Sequence, residues 1–261
     1  MEIFMKMQRP LKLPAALAAG ATAIGLAICA LFAHSQTQKP APDYRSDPSA
    51  LIEAYRHVEV ASVSDAMEQL LHEKGYMSHN MRPIFPTRFA GAALTVKLVK
   101  QEGADSAAVN GMLEAIDSGG KDSVYVMQLE DGANIAGMGG LMGTAMSVRG
   151  FAGAVIGGGV RDVAQLTKIG FPVYSTGPVP STVVGHYRFA AVNAPIVCDG
   201  VNVSAQDIIV ADPDGVVVVP RARAVDVLLL AQKLDNQEHS TLPLIEKLHS
   251  IVEAVKQLGR I

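Results

Sequence analysis

Gly157-Gly158-Gly159-Val160-Arg161-Asp162 is the stretch on which the fold turns. Residues 151–156 before it alternate small and β-branched side chains, the pattern of a buried strand, and residues 163–169 after it carry helical spacing. The six residues therefore join a strand to a helix through a glycine turn, the local unit of an α/β fold. Such a turn lets the backbone approach a ligand, and the first N–H groups of a helix favour an anion there. Arg161 and Asp162 stand at its mouth. One is a fixed cation suited to a carboxylate, the other an oxygen ligand suited to a divalent metal. The same pair also reads as a helix cap, and these six residues alone do not decide between the two.

Upstream, Gly137-Met138-Gly139-Gly140 opens a second short helix over residues 141–148. This cluster is not a dinucleotide fingerprint, because Met142 falls where the third glycine should be. If the strands before the two helix starts are neighbours, both starts face one crevice, the usual ligand site of an open α/β sheet. Strands are expected at 89–99 and 124–129, with a polar turn at 103–106 and a helix at 110–118 closed by Gly119-Gly120. Residues 49–73 read as two helices parted at Ser62-Val63-Ser64-Asp65, with Ser64 or Asp65 capping the second. Beyond Gly170 the pattern is mostly β: a short strand at 171–175, an irregular stretch at 177–185, and strands at 195–203 and 207–211. Asp212-Pro213-Asp214-Gly215 turns the last of these into 216–219, a hairpin. A helix at 222–235 follows, then another marked by Leu244, Leu248, Ile251, Val252, Val255 and Leu258, whose apolar stripe suits its own domain or a neighbouring subunit.

The chain has 261 residues, 49% of them hydrophobic, enough for one full core. Its formal charge of −3 and the lack of any dense basic run exclude nucleic acid as a direct partner. Lys6, Arg9 and Lys12 precede an uncharged run at 13–33, and Gln36, Thr37, Gln38 and Lys39 follow, the layout of an export signal. Ala33-His34-Ser35 offers a cut after Ser35, giving an exported, periplasmic or secreted protein; the run is also long enough to stay as a membrane anchor. Ile28 before Cys29 is too bulky for a lipoprotein signal. After cleavage only Cys198 remains, so no internal disulfide forms, and between apolar neighbours it reads as a buried strand residue. The chain thus divides into a signal or anchor (1–35), a proline-containing linker (36–48), a main domain (49–224) and C-terminal helices (225–261).

Five segments share one order and spacing with a known family: Ser64-Asp65-Ala66-Met67, Ala90-Gly91-Ala92-Ala93-Leu94-Thr95-Val96-Lys97, Arg149-Gly150-Phe151-Ala152-Gly153, Gly159-Val160-Arg161-Asp162 and Asp212-Pro213-Asp214-Gly215-Val216-Val217. Through them the chain resembles the RraA-like family, which contains the ribonuclease E activity regulator RraA and the class II 4-hydroxy-4-methyl-2-oxoglutarate / 4-carboxy-4-hydroxy-2-oxoadipate aldolases. The resemblance implies a swivelling β/β/α sandwich assembled as a homotrimer or hexamer, with sites between subunits. It further implies a lyase for small 4-hydroxy-2-oxo dicarboxylates, with oxaloacetate decarboxylation as a related activity. On that pattern Arg161 binds the carboxylate and keto oxygen of the pyruvyl part, and Asp162 holds Mg²⁺ or Mn²⁺ mostly through waters. Metal and arginine together stabilise a developing enolate without a Schiff-base lysine. Backbone amides of Leu141 and Met142 would complete the carboxylate pocket.

The chain also departs from that pattern. The aldolases carry an Asp twenty-one positions before the Arg, and here that position is Gly140, which removes an acid from the metal shell and from the proton relay. Gly157 stands where many relatives have an acid. Glu130 or Asp131 is a candidate to reach in from the preceding strand end, and Glu238 is the candidate for the acid that the family brings from a neighbouring subunit's C-terminal helix. Gly140 therefore leaves open a different class of protein, a non-catalytic exported trimer that binds a small carboxylate or a protein partner. Export argues against the ribonuclease-regulator role, whose partner is cytoplasmic.

The remaining polar residues read as structural. His57, His72, His79, His186 and His239 show no zinc-ligand spacing. Lys168, two helical turns after Arg161, reads as solvated; Asp212 and Asp214 read as turn residues; Ser181 and Ser204 lack a nucleophile-elbow context. Met138, Met142 and Met146 read as packing residues.

Overall fold

The computed structural model describes residues 42–258. The signal or anchor segment, Cys29 and residues 36–41 of the linker lie outside them. Among the described residues no helix is long and apolar enough to cross a membrane.

The strands, in chain order, are β1 (Arg82–Pro83), β2 (Phe89–Lys100), β3 (Ser123–Leu129), β4 (Ala136–Met138), β5 (Gly153–Gly157) and β6 (Gly159–Val160). They continue with β7 (Val173–Ser175), β8 (Tyr187–Val192), β9 (Ile196–Cys198), β10 (Val201–Val203), β11 (Ile208–Asp212) and β12 (Gly215–Val219). The helices are α1 (Pro48–Tyr55), α2 (Val60–Leu71), α3 (Asn110–Ser118), α4 (Gly140–Val148), α5 (Val163–Lys168), α6 (Ala224–Leu248) and α7 (Ile251–Leu258). The main sheet runs β1-β7-β5-β3-β2-β11-β12, with β8 also on β2. Its centre, β7-β5-β3-β2, is parallel, and β1, β8, β11 and β12 are antiparallel additions.

Period-two patterning sorts side chains to the two faces of this sheet. Val124, Val126, Val155, Ile209 and Val218 point to one face and pack against Ile196, Cys198 and Val203 of the β9–β10 hairpin. Their strand neighbours Tyr125, Met127, Ala154 and Ile156 point the other way, under Met112 and Ile116 of α3, Met142 and Met146 of α4, and Leu166 of α5. Further along that face, Ile208, Val210, Val217 and Val219 lie under α1, α2 and α6. The layers are hairpin, sheet and helices, the β/β/α sandwich that the sequence implied. Each fully buried aliphatic side chain in these layers contributes roughly 2 kcal/mol. Buried hydroxyls fasten the layers: Tyr55 Oη donates to Ala224 O (2.6 Å) and Tyr125 Oη to Met112 O (3.1 Å). Burial pushes both phenols well above their ordinary range, so they serve as donors.

Four local expectations are corrected. The first two helices part at residues 56–59 rather than at 62–65, which lie inside α2. No side chain of its own segment caps α2; Asp212 Oδ2 accepts the Val60 N–H (3.0 Å) and Asp235 Oδ1 the Glu59 N–H (3.2 Å), both from far along the chain. Residues 195–203 form a hairpin rather than one strand, because Asp199 (φ 47°) and Gly200 (φ 83°) make the two positive-φ positions of a tight turn. Strand β8 falls in a stretch with no expected element; its burial alternates, as suits an edge strand. Finally, residues 224–248 are one helix that passes through Pro243, and the chain breaks at left-handed His249 instead.

Candidate functional site

The small parallel pair β4–β6 builds the site. Ala136 pairs with Gly159 and Met138 with Val160, and the Arg161 N–H donates to Met138 O (3.0 Å). This ladder sets Gly139-Gly140, at the start of α4, directly beside Arg161-Asp162, at the start of α5. The two helix starts do share one crevice. The approach requires a glycine at 139: a Cβ there would lie 2.6 Å from Asp162 Oδ2 and 2.9 Å from Arg161 Cγ.

Asp162 occupies the N-cap position of α5 in the left-handed conformation (φ 57°, ψ 37°), which aspartate tolerates better than most side chains. It makes no side-chain bond to its own helix. Oδ2 instead accepts the N–H of Gly140 (2.9 Å), the first residue of α4. The reading of the pair as a cap of the following helix is therefore replaced by a bond across to the other helix. Among the described residues Oδ1 takes no hydrogen bond, and the side chain is 51% exposed. Arg161 is also half exposed; its Nη1 donates to Ser181 O (3.2 Å) and its Nε lies 3.9 Å from Asp162 Oδ2. The Ser181 hydroxyl fixes the neighbouring loop, accepting the Ala136 N–H (2.9 Å) and donating to Asn134 O (3.3 Å).

Two clefts flank the pair. The first, of about 180 Å³, is walled by Met112, Met138, Met142 and Val183, with Leu141, Arg161 and Asp162 at its rim. The N–H groups of Leu141 and Met142 precede the first helical bond of α4, from the Gly143 N–H to Gly139 O (3.0 Å), and are the donors a helix start offers an anion. The second, of about 520 Å³, lies against Val160, Val163, Pro178, Val179 and Pro180. Leu113 and Thr182 to Val184 also line the first cleft and were not singled out from sequence; nothing in their spacing marks them.

The other sequence candidates lie outside the two clefts of their own chain. Glu130 Oε2 accepts the Lys100 N–H (3.0 Å) and Asp131 pairs with Lys100 Nζ (3.4 Å), so neither lines the cleft. Glu238 on α6 lines a separate groove with Ser62, Asp65 and Leu242 of the same chain. Lys168 is at the far end of α5 and His57, His186 and His239 pair with surface acids. Cys198 is buried under the sheet, and burial pushes its thiol up to about 12. Among the described residues no three His, Cys, Asp or Glu side chains converge on a metal-sized point. Asp162 is the acid lining either cleft. A single carboxylate completed by water and substrate oxygens is within what Mg²⁺ accepts, since it keeps several waters.

The RraA-like family model, described as Aldolase/RraA, matches residues 60–218. The chain belongs to the RraA-like family. The match covers the main sheet, both clefts and the Asp212 turn, close to the span expected from sequence. A family relative from Halalkalibacterium halodurans, provisionally named a 4-hydroxy-4-methyl-2-oxoglutarate aldolase, is 27% identical over 185 residues, 70% of this chain and 82% of its own. Among solved structures, an uncharacterized protein from Pseudomonas syringae pv. tomato superposes with a TM-score of 0.72 at 27% identity, covering 80% of this chain and 93% of that one. Streptomyces coelicolor RraAS2, described as an unusual member of the RNase ES inhibitor RraA family, superposes at 0.66 with 22% identity, covering 73% and 94%. At that identity it supports the fold alone.

Proposed function

We propose that the Arg161–Asp162 cleft is the active site of a divalent-metal-dependent carbon–carbon lyase of the class II pyruvate-aldolase type. Its substrates on this reading are 4-hydroxy-2-oxo acids, with oxaloacetate decarboxylation as the same bond cleavage with CO₂ leaving. The observation that carries it is the meeting of three features in one cleft: the Arg161 guanidinium, the Asp162 carboxylate with one oxygen unbonded, and the first N–H groups of α4. The aldolase names among relatives add to it.

Arg161, steadied by Ser181 O, orients the substrate through its carboxylate and keto oxygen. The Leu141 and Met142 amides take the rest of the carboxylate. The methionine-rich wall lowers the polarity on one side of the bound acid and so strengthens these contacts. Asp162 would hold Mg²⁺ or Mn²⁺, which when bound supplies positive charge beside the keto oxygen as the bond breaks. Among the described residues no second acid lines the cleft, so on this reading the proton delivered to the product comes from water or a neighbouring subunit. The assembly expected is a homotrimer or hexamer exported by its N-terminal segment; light scattering and mass spectrometry of the exported form test these two points.

The protein incubated with Mg²⁺ or Mn²⁺ and oxaloacetate or a 4-hydroxy-2-oxo acid should release pyruvate, and Arg161→Ala should lower kcat/KM by about 10²-fold or more. Folded protein with no metal-dependent turnover sinks this reading. It would favour the non-catalytic carboxylate binder, which Gly140, lacking an acid next to Asp162, supports.

A further inference from the structure

Arg161 and Asp162 form a partition shared by the two clefts, and the second cleft differs from the first in what it offers a ligand. Besides the pair, every residue lining it is apolar: Val160, Val163, Pro178, Val179 and Pro180. Its backbone is equally poor in donors. Pro178 and Pro180 have no N–H, the Val179 N–H donates to Val160 O (2.9 Å), and the Val160 N–H donates to Gly177 O (3.0 Å). The N–H of Val163 directly follows Asp162, whose charge opposes an anion there. Among the described residues Arg161 is the one cation lining either cleft, and the first cleft uses it for the 2-oxo-acid end.

We propose that the substrate is a 4-hydroxy-2-oxo monocarboxylate bearing an apolar alkyl or aryl group on C4, and that this group lies in the second cleft against Val163, Pro178, Val179 and Pro180. The inference rests on the first cleft being the 2-oxo-acid pocket. A second carboxylate at C4 would lie against a wall whose cation, Arg161, is already engaged by the 2-oxo-acid end and whose helix-start N–H, that of Val163, stands beside the negative Asp162, so it gains little there. Methylene groups gain from the same wall. In the reaction the C3–C4 bond breaks, the C4 hydroxyl gives up its proton and becomes a carbonyl, and C3 keeps the bonding pair and takes a proton. The products are pyruvate and an apolar aldehyde or ketone, with no oxidant or reductant required.

Calorimetric titration of the full chain in Mg²⁺ buffer, with 2-oxohexanoate and separately with 2-oxoglutarate, tests the tail without requiring turnover. 2-Oxohexanoate should bind tighter, on the order of tenfold or more. Arg161→Ala should abolish binding of both. Pro180→Arg, at an exposed position that leaves the core alone, should move the preference toward 2-oxoglutarate by roughly tenfold. Equal affinities, tighter 2-oxoglutarate, no binding of either acid, or an unchanged preference in Pro180→Arg each overturn the inference. Pyruvate release on the same preparation separates the two claims. A tail preference without cleavage removes the lyase reading and leaves the tail assignment standing; cleavage of the dicarboxylate in preference to the alkyl substrate does the reverse.

Discussion

Two aspartates stand where a short strand gives way to the next element, one at the last residue of β11 and one two residues after β6, and the fold treats them in opposite ways. Asp212, closing β11, has its side chain 5% exposed. It accepts the N–H groups of Val60 and Asp214 (3.0 Å each) and lies 3.6 Å from Arg88, while its backbone oxygen accepts from Tyr174 Oη (2.5 Å). Asp162, following β6, is half exposed, sits in the left-handed region and accepts one N–H. A carboxylate surrounded by donors holds a structure together and has nothing left for a ligand. One held in a sparsely populated conformation with an oxygen to spare is where a site is expected.

Removing each acid tests that contrast. Asp212→Ala leaves two N–H groups and a guanidinium without their partner and should cost roughly 3 kcal/mol, read by chemical denaturation. A loss below about 1 kcal/mol would erase the difference from the structural side. Asp162→Asn keeps a left-handed-tolerant side chain and an acceptor for the Gly140 N–H, so stability should move by less than about 1 kcal/mol while metal-dependent pyruvate release disappears. Retained Mg²⁺ dependence in that folded variant would erase it from the functional side.

How much of this contrast was visible beforehand depends on sequence distance. The strand–turn–helix at 151–169 and the hairpin through Asp212 were legible, because period-two runs and turn residues are local signals. The start of α2 was not, since its caps, Asp212 and Asp235, lie 152 and 176 residues from the groups they bond. Arg161 and Asp162 were singled out correctly as neighbours of the other helix start. That Asp162 bonds Gly140 rather than its own helix depends on the β4–β6 ladder, whose two strands of three and two residues carry no readable period. Asp199-Gly200 was a readable hairpin signal that the apolar run around it obscured.

Two smaller effects sharpen the comparison. Gly140→Asp would put a second acid next to Asp162; its Cβ would meet Gln165 Cγ at 3.1 Å and Asp162 Cβ at 3.3 Å, so Gln165 must swing aside. The Mg²⁺ concentration needed for half-maximal turnover should fall about tenfold, as expected for an added carboxylate ligand. An unchanged value means the site does not gather metal at Asp162. On the structural side, His239 accompanies Asp235, the other acid at the start of α2. Its hydrogen bond to the Asp235 backbone oxygen, then the Asp235, Glu59 and Glu238 charges, raise its pKa. A raised folded pKa means the contribution is fully present below about pH 6.5, the ordinary value, and is lost as pH rises through the higher folded one. His239→Gln should therefore lower Tm slightly near pH 5.5, with the deficit shrinking as pH rises; a deficit that grows with pH contradicts the assignment.

The β9–β10 hairpin holds its own Cys198 against the sheet, and that burial makes the thiol a clock. With its pKa held at about 12 under the sheet, Cys198 should ignore a thiol reagent at neutral pH until the hairpin lifts. In a Cys29→Ser background its labelling rate would then count openings of one layer of the sandwich, giving the lifetime of that layer separately from the stability of the whole.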